Sequence, residues 1–172
     1  MSDTVRRGER FVTRHAVRVI LIDSNQSVLL LSTKDASNPD FIESWEVPGG
    51  GANPNESIHE TAIREILEET GIKLTSDDLS NPLWKRDVLY SYRGERRLQH
   101  ETICIAHINK SSPRLNLSGR EPFETEDHQR YKWWSVKELQ NTRATLYPKS
   151  LGTHITALIN QKTVEEPIEI WD

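Results

Sequence analysis

Glu65, Glu68 and Glu69 stand at i, i+3 and i+4 in the run GGANPNESIHETAIREILEETGI, residues 50–72. On a helix that spacing gathers three carboxylates on one face, within an arc of about 100°. Like charges so placed repel by a few tenths of a kcal/mol per pair, about what a favourable pair would gain. A segment that tolerates them has reason to hold something positive between them. Oxygen-only ligands suit a hard divalent cation such as Mg²⁺ or Mn²⁺. Such an ion could neutralise phosphoryl oxygens and lower the pKa of a bound water, as phosphoric anhydride hydrolysis requires.

The elements that must position these carboxylates can be read on either side. Asn53, Pro54 and Glu56 predict a helix start, with Asn at the N-cap, Pro at N1 and Glu at N3. Gly71 predicts the C′ stop. Between them Ile58, Ala62, Ile63, Ile66 and Leu67 form an apolar stripe that would face the core and leave the glutamates at a cleft edge. Upstream, Gly49, Gly50 and Gly51 offer bare backbone that could approach a ligand closely.

Taken alone, REILEE reads better as an exposed acidic helix face. The fixed residues around it change that balance. The segment resembles the signature of the Nudix (MutT-like) hydrolases, G-x5-E-x7-R-E-U-x-E-E-x-G-U with U aliphatic. Gly50, Glu56, Arg64, Glu65, Ile66, Glu68, Glu69, Gly71 and Ile72 fill all nine places without a gap. The resemblance implies an α/β/α sandwich with a mixed central sheet and a metal held by Glu65, Glu68 and Glu69. It implies an orienting ion pair for Arg64, structural support from Glu56 and Gly71, and a pyrophosphate-positioning backbone at Gly49–Gly51. The family often draws its general base from a downstream loop, which here holds Glu121, Glu124, Glu126 and Asp127. Glu126 is the candidate there, and a box glutamate is the alternative.

The whole chain has 172 residues, 35% hydrophobic and 28% charged, with a formal net charge of −4. That length fits one domain, expected over 11–172 behind a polar, disordered 1–10. No apolar run approaches the ~18 residues of a membrane span, and MSDTVRRGERF lacks the apolar core of a secretory signal. The single cysteine, Cys104, sits in an apolar run, reads as a core thiol and fits a reducing cytoplasm. The acidic balance argues against a nucleic-acid polymer as partner. It leaves room for a small phosphorylated substrate, a nucleotide above all, and for a homodimer.

His15–Ile22 and Ser27–Ser32 predict a hairpin around Asp23-Ser24-Asn25, and Trp45–Val47 a short strand into the glycine loop. Leu83–Tyr92 and Leu98–Ile108 predict a second hairpin around Gly94. Residues 110–130 read as a long loop, Tyr131–Trp134 as a strand, and Ser135–Gln140 and Ser150–Asn160 as helices. Strands on both sides of a central helix predict a mixed sheet with helices packed on it. Trp45 reads as core, and Trp133 and Trp134 as pointing to opposite faces. Tyr90 and Tyr92 share a face and read as packing residues, and Arg93, Arg96 and Arg97 as a solvated turn. None of the six histidines has metal-ligand spacing.

The leading expectation is therefore metal-dependent hydrolysis of a pyrophosphate bond in a nucleoside diphosphate linked to another moiety, such as a nucleoside triphosphate or nucleotide sugar. The alternative is a non-catalytic nucleotide sensor of the same fold, although such relatives commonly lose box carboxylates that are complete here. An isomerase of the same fold would need a reactive cysteine, which Cys104 is not placed to supply. The additional signatures of coenzyme A and ADP-ribose pyrophosphatases are absent: Val88 stands where the latter carry proline. Tyr90 keeps dinucleoside polyphosphates open.

Overall fold

The computed structural model describes residues 11–34, 38–40, 42–119 and 128–171, with backbone alone at 128 and 129. The expectations for residues 1–10 and for Glu126 lie outside these residues. The strands are β1 (Val12–Ile22), β2 (Ser27–Thr33), β3 (Ser44–Glu46), β4 (Gly49–Gly51), β5 (Trp84–Tyr92), β6 (Glu95–His107), β7 (His128–Ser135), β8 (Thr145–Tyr147) and β9 (Glu169–Ile170). The α-helices among the described residues are α1 (Ile58–Thr70), α2 (Val136–Asn141) and α3 (Leu151–Ile159).

The strands form one mixed sheet in the order β8-β3-β2-β1-β6-β5-β9, with β4 also on β1 and β7 also on β2. The pairs β1–β6, β3–β8 and β5–β9 are parallel and the rest antiparallel. Both faces are covered, so the central strands are apolar on both sides. Val17, Val19 and Leu21 of β1 pack with Ala62 and Ile66 of α1. Ile20 and Ile22 point the other way, onto Leu139 of α2 and Leu151, Ile155 and Leu158 of α3. Each such fully buried aliphatic side chain contributes about 1.5–3 kcal/mol. The expected α/β/α sandwich is the observed architecture.

Both predicted hairpins form. At the second, Arg93 and Gly94 have φ of 48° and 81°, the positive pair a tight two-residue turn requires. Trp134 is buried on the α3 side while Trp133 is half-buried on the α1 side. Trp45 packs edge-on against Trp134, ring centroids 5.4 Å apart, and is half-buried at the edge of the core it was expected to fill. Cys104 is buried, and burial pushes its thiol up to about 11.

Three expectations need correction. Helix α1 starts at Ile58, with Ser57 rather than Asn53 at the N-cap. The Ser57 side chain accepts from Glu60 N, and the Glu60 carboxylate accepts from Ser57 N. This second capping box outcompetes the first because Asn55 takes φ of 67°, which turns the chain before a helix can begin. The apolar stripe is narrower than predicted: Ala62 and Ile66 are buried, but Ile58 and Leu67 are exposed. Finally, Gly49–Gly51 is a strand rather than a loop, paired with Ala16–Arg18 of β1.

Candidate active site

Glu65 and Glu69 share the buried face of α1 with Ala62 and Ile66, at 7% and 3% exposure, while Glu68 is half-exposed. All three line one wall of a cleft of about 1210 Å³, together with Gly49, Gly50 and Gly51. The carboxylate stripe thus lies at a cleft edge beside the apolar stripe, as the helical spacing requires. Gly50 is shaped by Glu65: a Cβ there would lie 2.5 Å from the Glu65 carboxyl carbon. Any other residue there would force that carboxylate to shift. Gly71, at φ of 74°, closes α1 by donating its N–H to Leu67 O.

Arg64 organises the wall. Its Nε and Nη2 grip the Glu56 carboxylate at 2.7 and 3.0 Å, a bidentate pair. Nη1 donates to Glu65 at 2.7 Å and to Glu68 at 3.3 Å, and Nη2 reaches Gly51 O at 2.8 Å. The arginine holds Glu56 down to a pKa of about 2 and is itself raised, chiefly by that carboxylate. Glu56 is thus a support for Arg64, not a residue of the helix terminus. Burial raises the Glu65 pKa despite Arg64, and Glu68 adds to that rise. Glu69 accepts from Gly49 N at 2.9 Å, which ties the helix to β4.

Among the described residues no three carboxylate, imidazole or thiolate side chains converge as a ready metal cluster. Arg64 Nη1 lies between Glu65 and Glu68 instead. The donor set still fits a hard divalent ion: three carboxylates on one helix face line the cleft, and the absence of a side chain at Gly50 leaves room for the Glu65 carboxylate among them.

Beneath the glycine strand lies a buried ion network that the sequence reading missed. Arg18 Nε donates to Glu101, and Arg18 Nη1 donates to Val47 O at 2.7 Å. Glu101 also meets Arg86 Nε at 3.0 Å and accepts from Gln99 at 2.7 Å and from Tyr147 OH at 3.0 Å. Burial would raise the Glu101 carboxyl, but Arg18 and Arg86 outweigh it and hold it low. Val19 N donates to Pro48 O, so β1 fixes the approach to the glycines from two sides. The signal for this network was in the sequence: Arg14, Ala16 and Arg18 alternate on one strand face, where a plain core strand would carry only apolar residues.

The opposite wall corrects two further expectations. Tyr90 and Tyr92 do share a face, but they line the cleft, as do Arg93 and Arg97. Tyr90 OH donates to Gln99 Oε1 at 3.0 Å. A smaller recess of about 390 Å³ beside Asp87, His100 and Glu166 includes none of the box residues.

A curled mixed sheet between helices, with an arginine-organised acidic helix and a glycine strand in one cleft, defines a class of phosphate-handling α/β protein. A family model described as the NUDIX domain matches residues 12–152, and the chain belongs to the Nudix hydrolase family. A Klebsiella pneumoniae (strain 342) protein named nucleoside triphosphatase NudI is 29% identical over 74% of this chain and 91% of its own length. A Bacillus subtilis (strain 168) protein named as a candidate 8-oxo-dGTP diphosphatase is 45% identical over 31% of this chain; the match spans only 32% of that protein. The crystal structure of a MutT protein from Methanosarcina mazei Go1 superposes with a TM-score of 0.63 at 18% identity, over 88% of this chain and 99% of its own. That likeness concerns the fold. No helix among the described residues is long and apolar enough to cross a membrane.

Proposed function

We propose that the chain hydrolyses a phosphoric anhydride in a nucleoside diphosphate linked to another moiety, with Mg²⁺ as its cofactor and Mn²⁺ as a substitute. The observation that carries this reading is the complete acidic box on one cleft wall, with Gly50 cut to the shape of Glu65. Glu65, Glu68 and Glu69 would hold the ion. When bound, it would supply Lewis-acid polarisation of the phosphoryl group and a water of lowered pKa.

The protein's own residues do the positioning. Gly49–Gly51 present backbone to the phosphates. Arg64, locked on Glu56, keeps Glu65 and Glu68 aimed along one edge. Arg18 and Glu69 hold the approach to the glycine strand from opposite sides. Proton removal from the attacking water falls to Glu126 or to a box glutamate. The relatives' names support a nucleotide as substrate, and the formal net charge of −4 supports a small one over a nucleic-acid polymer. A single cysteine, buried and with a raised pKa, fits the cytoplasmic location we propose.

The test is a panel of nucleoside triphosphates, nucleotide sugars and dinucleoside polyphosphates with Mg²⁺, with products separated by chromatography. The expected result is cleavage between phosphates in at least one class. Tight binding across the panel with no product formed would move the protein to the sensor reading.

A further inference from the structure

The cleft is lined by two kinds of residue: the carboxylates with the glycine strand, and an aromatic and basic set that includes Tyr90, Tyr147, Lys149 and Trp171. Trp171 lies beyond residues 12–152, the part of the chain that the family model matches.

Trp171 is firmly held for a residue so far along the chain. Strand β9 runs parallel to β5, with Ile170 opposite Leu89, and Trp171 N donates to Leu89 O at 2.9 Å. Glu169 meets Arg86 at 3.0 Å, and its carboxylate also accepts from the Trp171 indole N–H. Lys149 Nζ donates to Ile170 O at 2.8 Å and sits 4.4 Å from the Trp171 ring centroid. The Tyr147 ring lies 5.3 Å away, tilted by 42°. Tyr147 and Arg86 both contact Glu101, the residue that fixes Arg18 under the glycine strand. The half-buried indole is therefore set into the same ion network that lies beneath the glycine strand.

A fixed aromatic ring with a cation on it, lining the same cleft as the acidic box, suits a ligand that is flat at one end and anionic at the other. We propose that Trp171 is a specificity-determining residue: with Tyr147 and Lys149 it forms the wall against which the heteroaromatic base of a nucleotide packs. Glu169 and Arg86 are positioning residues for it. The proposal rests on the anhydride-hydrolase reading for the location of the phosphates. Base–aromatic stacking is sequence-tolerant and worth roughly five- to 150-fold in affinity, so the wall selects for a base without choosing among bases.

Titration calorimetry in Mg²⁺ tests this on the full chain. The ligands are the α,β-methylene analogues of ATP, GTP, CTP and UTP, with inorganic tripolyphosphate as the anion that lacks a base. Wild type, W171F and W171L are compared, with melting temperatures recorded alongside. Should W171L lower the melting temperature, W171Q provides a second non-aromatic side chain. The expected result is that wild type prefers the analogues to tripolyphosphate. W171L then weakens the analogues by about fivefold or more, W171F stays within about threefold, and tripolyphosphate is unchanged by either. Equal analogue affinity in wild type and W171L, an equal loss for tripolyphosphate, or no analogue binding by wild type would each overturn the proposal. Tight, Trp171-dependent binding of nucleotides that wild type never hydrolyses would instead overturn the hydrolase reading and leave the wall in place.

Discussion

The acidic wall and the ion network beneath the glycine strand both use arginine–glutamate pairs, but they are assembled on opposite terms. In the acidic wall the partners are close in sequence: Arg64 grips Glu56 eight residues away and Glu65 next door. In the network, Arg18 meets Glu101 and Arg86 meets Glu169, each 83 residues apart. The first is half-open to solvent and keeps carboxylates in a working position. The second is closed, with Arg86 and Glu101 side chains at 1% and 0% exposure. Charges in the first are available for chemistry, while those in the second hold the sheet, the glycine strand and β9 together.

Substitutions can break or sharpen this contrast. The largest effect is expected on activity, from the acidic wall. E68Q/E69Q should lower turnover by roughly 10²–10³-fold or more, the scale of losing a preorganised electrostatic contact. Its melting temperature should stay within a few degrees of wild type. An active double mutant would refute the ligand assignment. E101Q should act the other way. Removing one partner of a buried ion group costs about 3–5 kcal/mol, which is about 10 °C in melting temperature for a chain of this size. An E101Q protein as stable as wild type would show that the network is not what holds the sheet and β9 together.

Backbone geometry comes next. G71A places a side chain at φ of 74°, with its Cβ 2.6 Å from Asn116 Cβ, and should cost at least 1–2 kcal/mol in chemical denaturation. The smallest effect concerns pH. Glu56 is held at about 2 against an ordinary 4.5, so its stabilising pair is fully present above about 4.5 and is lost as pH falls toward 2. Wild type should therefore melt higher than E56Q at pH 6, and the gap should close between pH 4.5 and 2. A gap that persists at pH 2 would remove the Arg64–Glu56 pair as its cause.

The same contrast explains what the sequence disclosed. Helical spacing put Glu65, Glu68 and Glu69 on one face, and Gly71 marked the end of α1, because both follow from interactions within a turn or two. The N-terminus of α1 was misplaced by four residues because two capping signals, Asn53/Glu56 and Ser57/Glu60, lie in tandem, and the Asn55 turn decides between them. The alternation at Arg14, Ala16 and Arg18 marks a polar strand face, but the partner of Arg18 was not legible, since no local rule pairs it with Glu101, 83 residues on. Nor was Trp171 as a cleft residue. The alternation in Ile168-Glu169-Ile170-Trp171 allows a short strand, but its parallel docking on β5 depends on a sheet edge that only the assembled fold presents. Glu126 itself lies outside the described residues.

The central claim is that Glu65, Glu68 and Glu69 act on a phosphoric anhydride through a divalent cation. The most direct measurement is turnover of a cleaved nucleotide by protein stripped with chelator and then titrated with Mg²⁺, with E69Q alongside. The account expects activity to vanish on stripping and return with Mg²⁺ in wild type, with E69Q needing far more ion and regaining little. Full turnover by the stripped protein would contradict it.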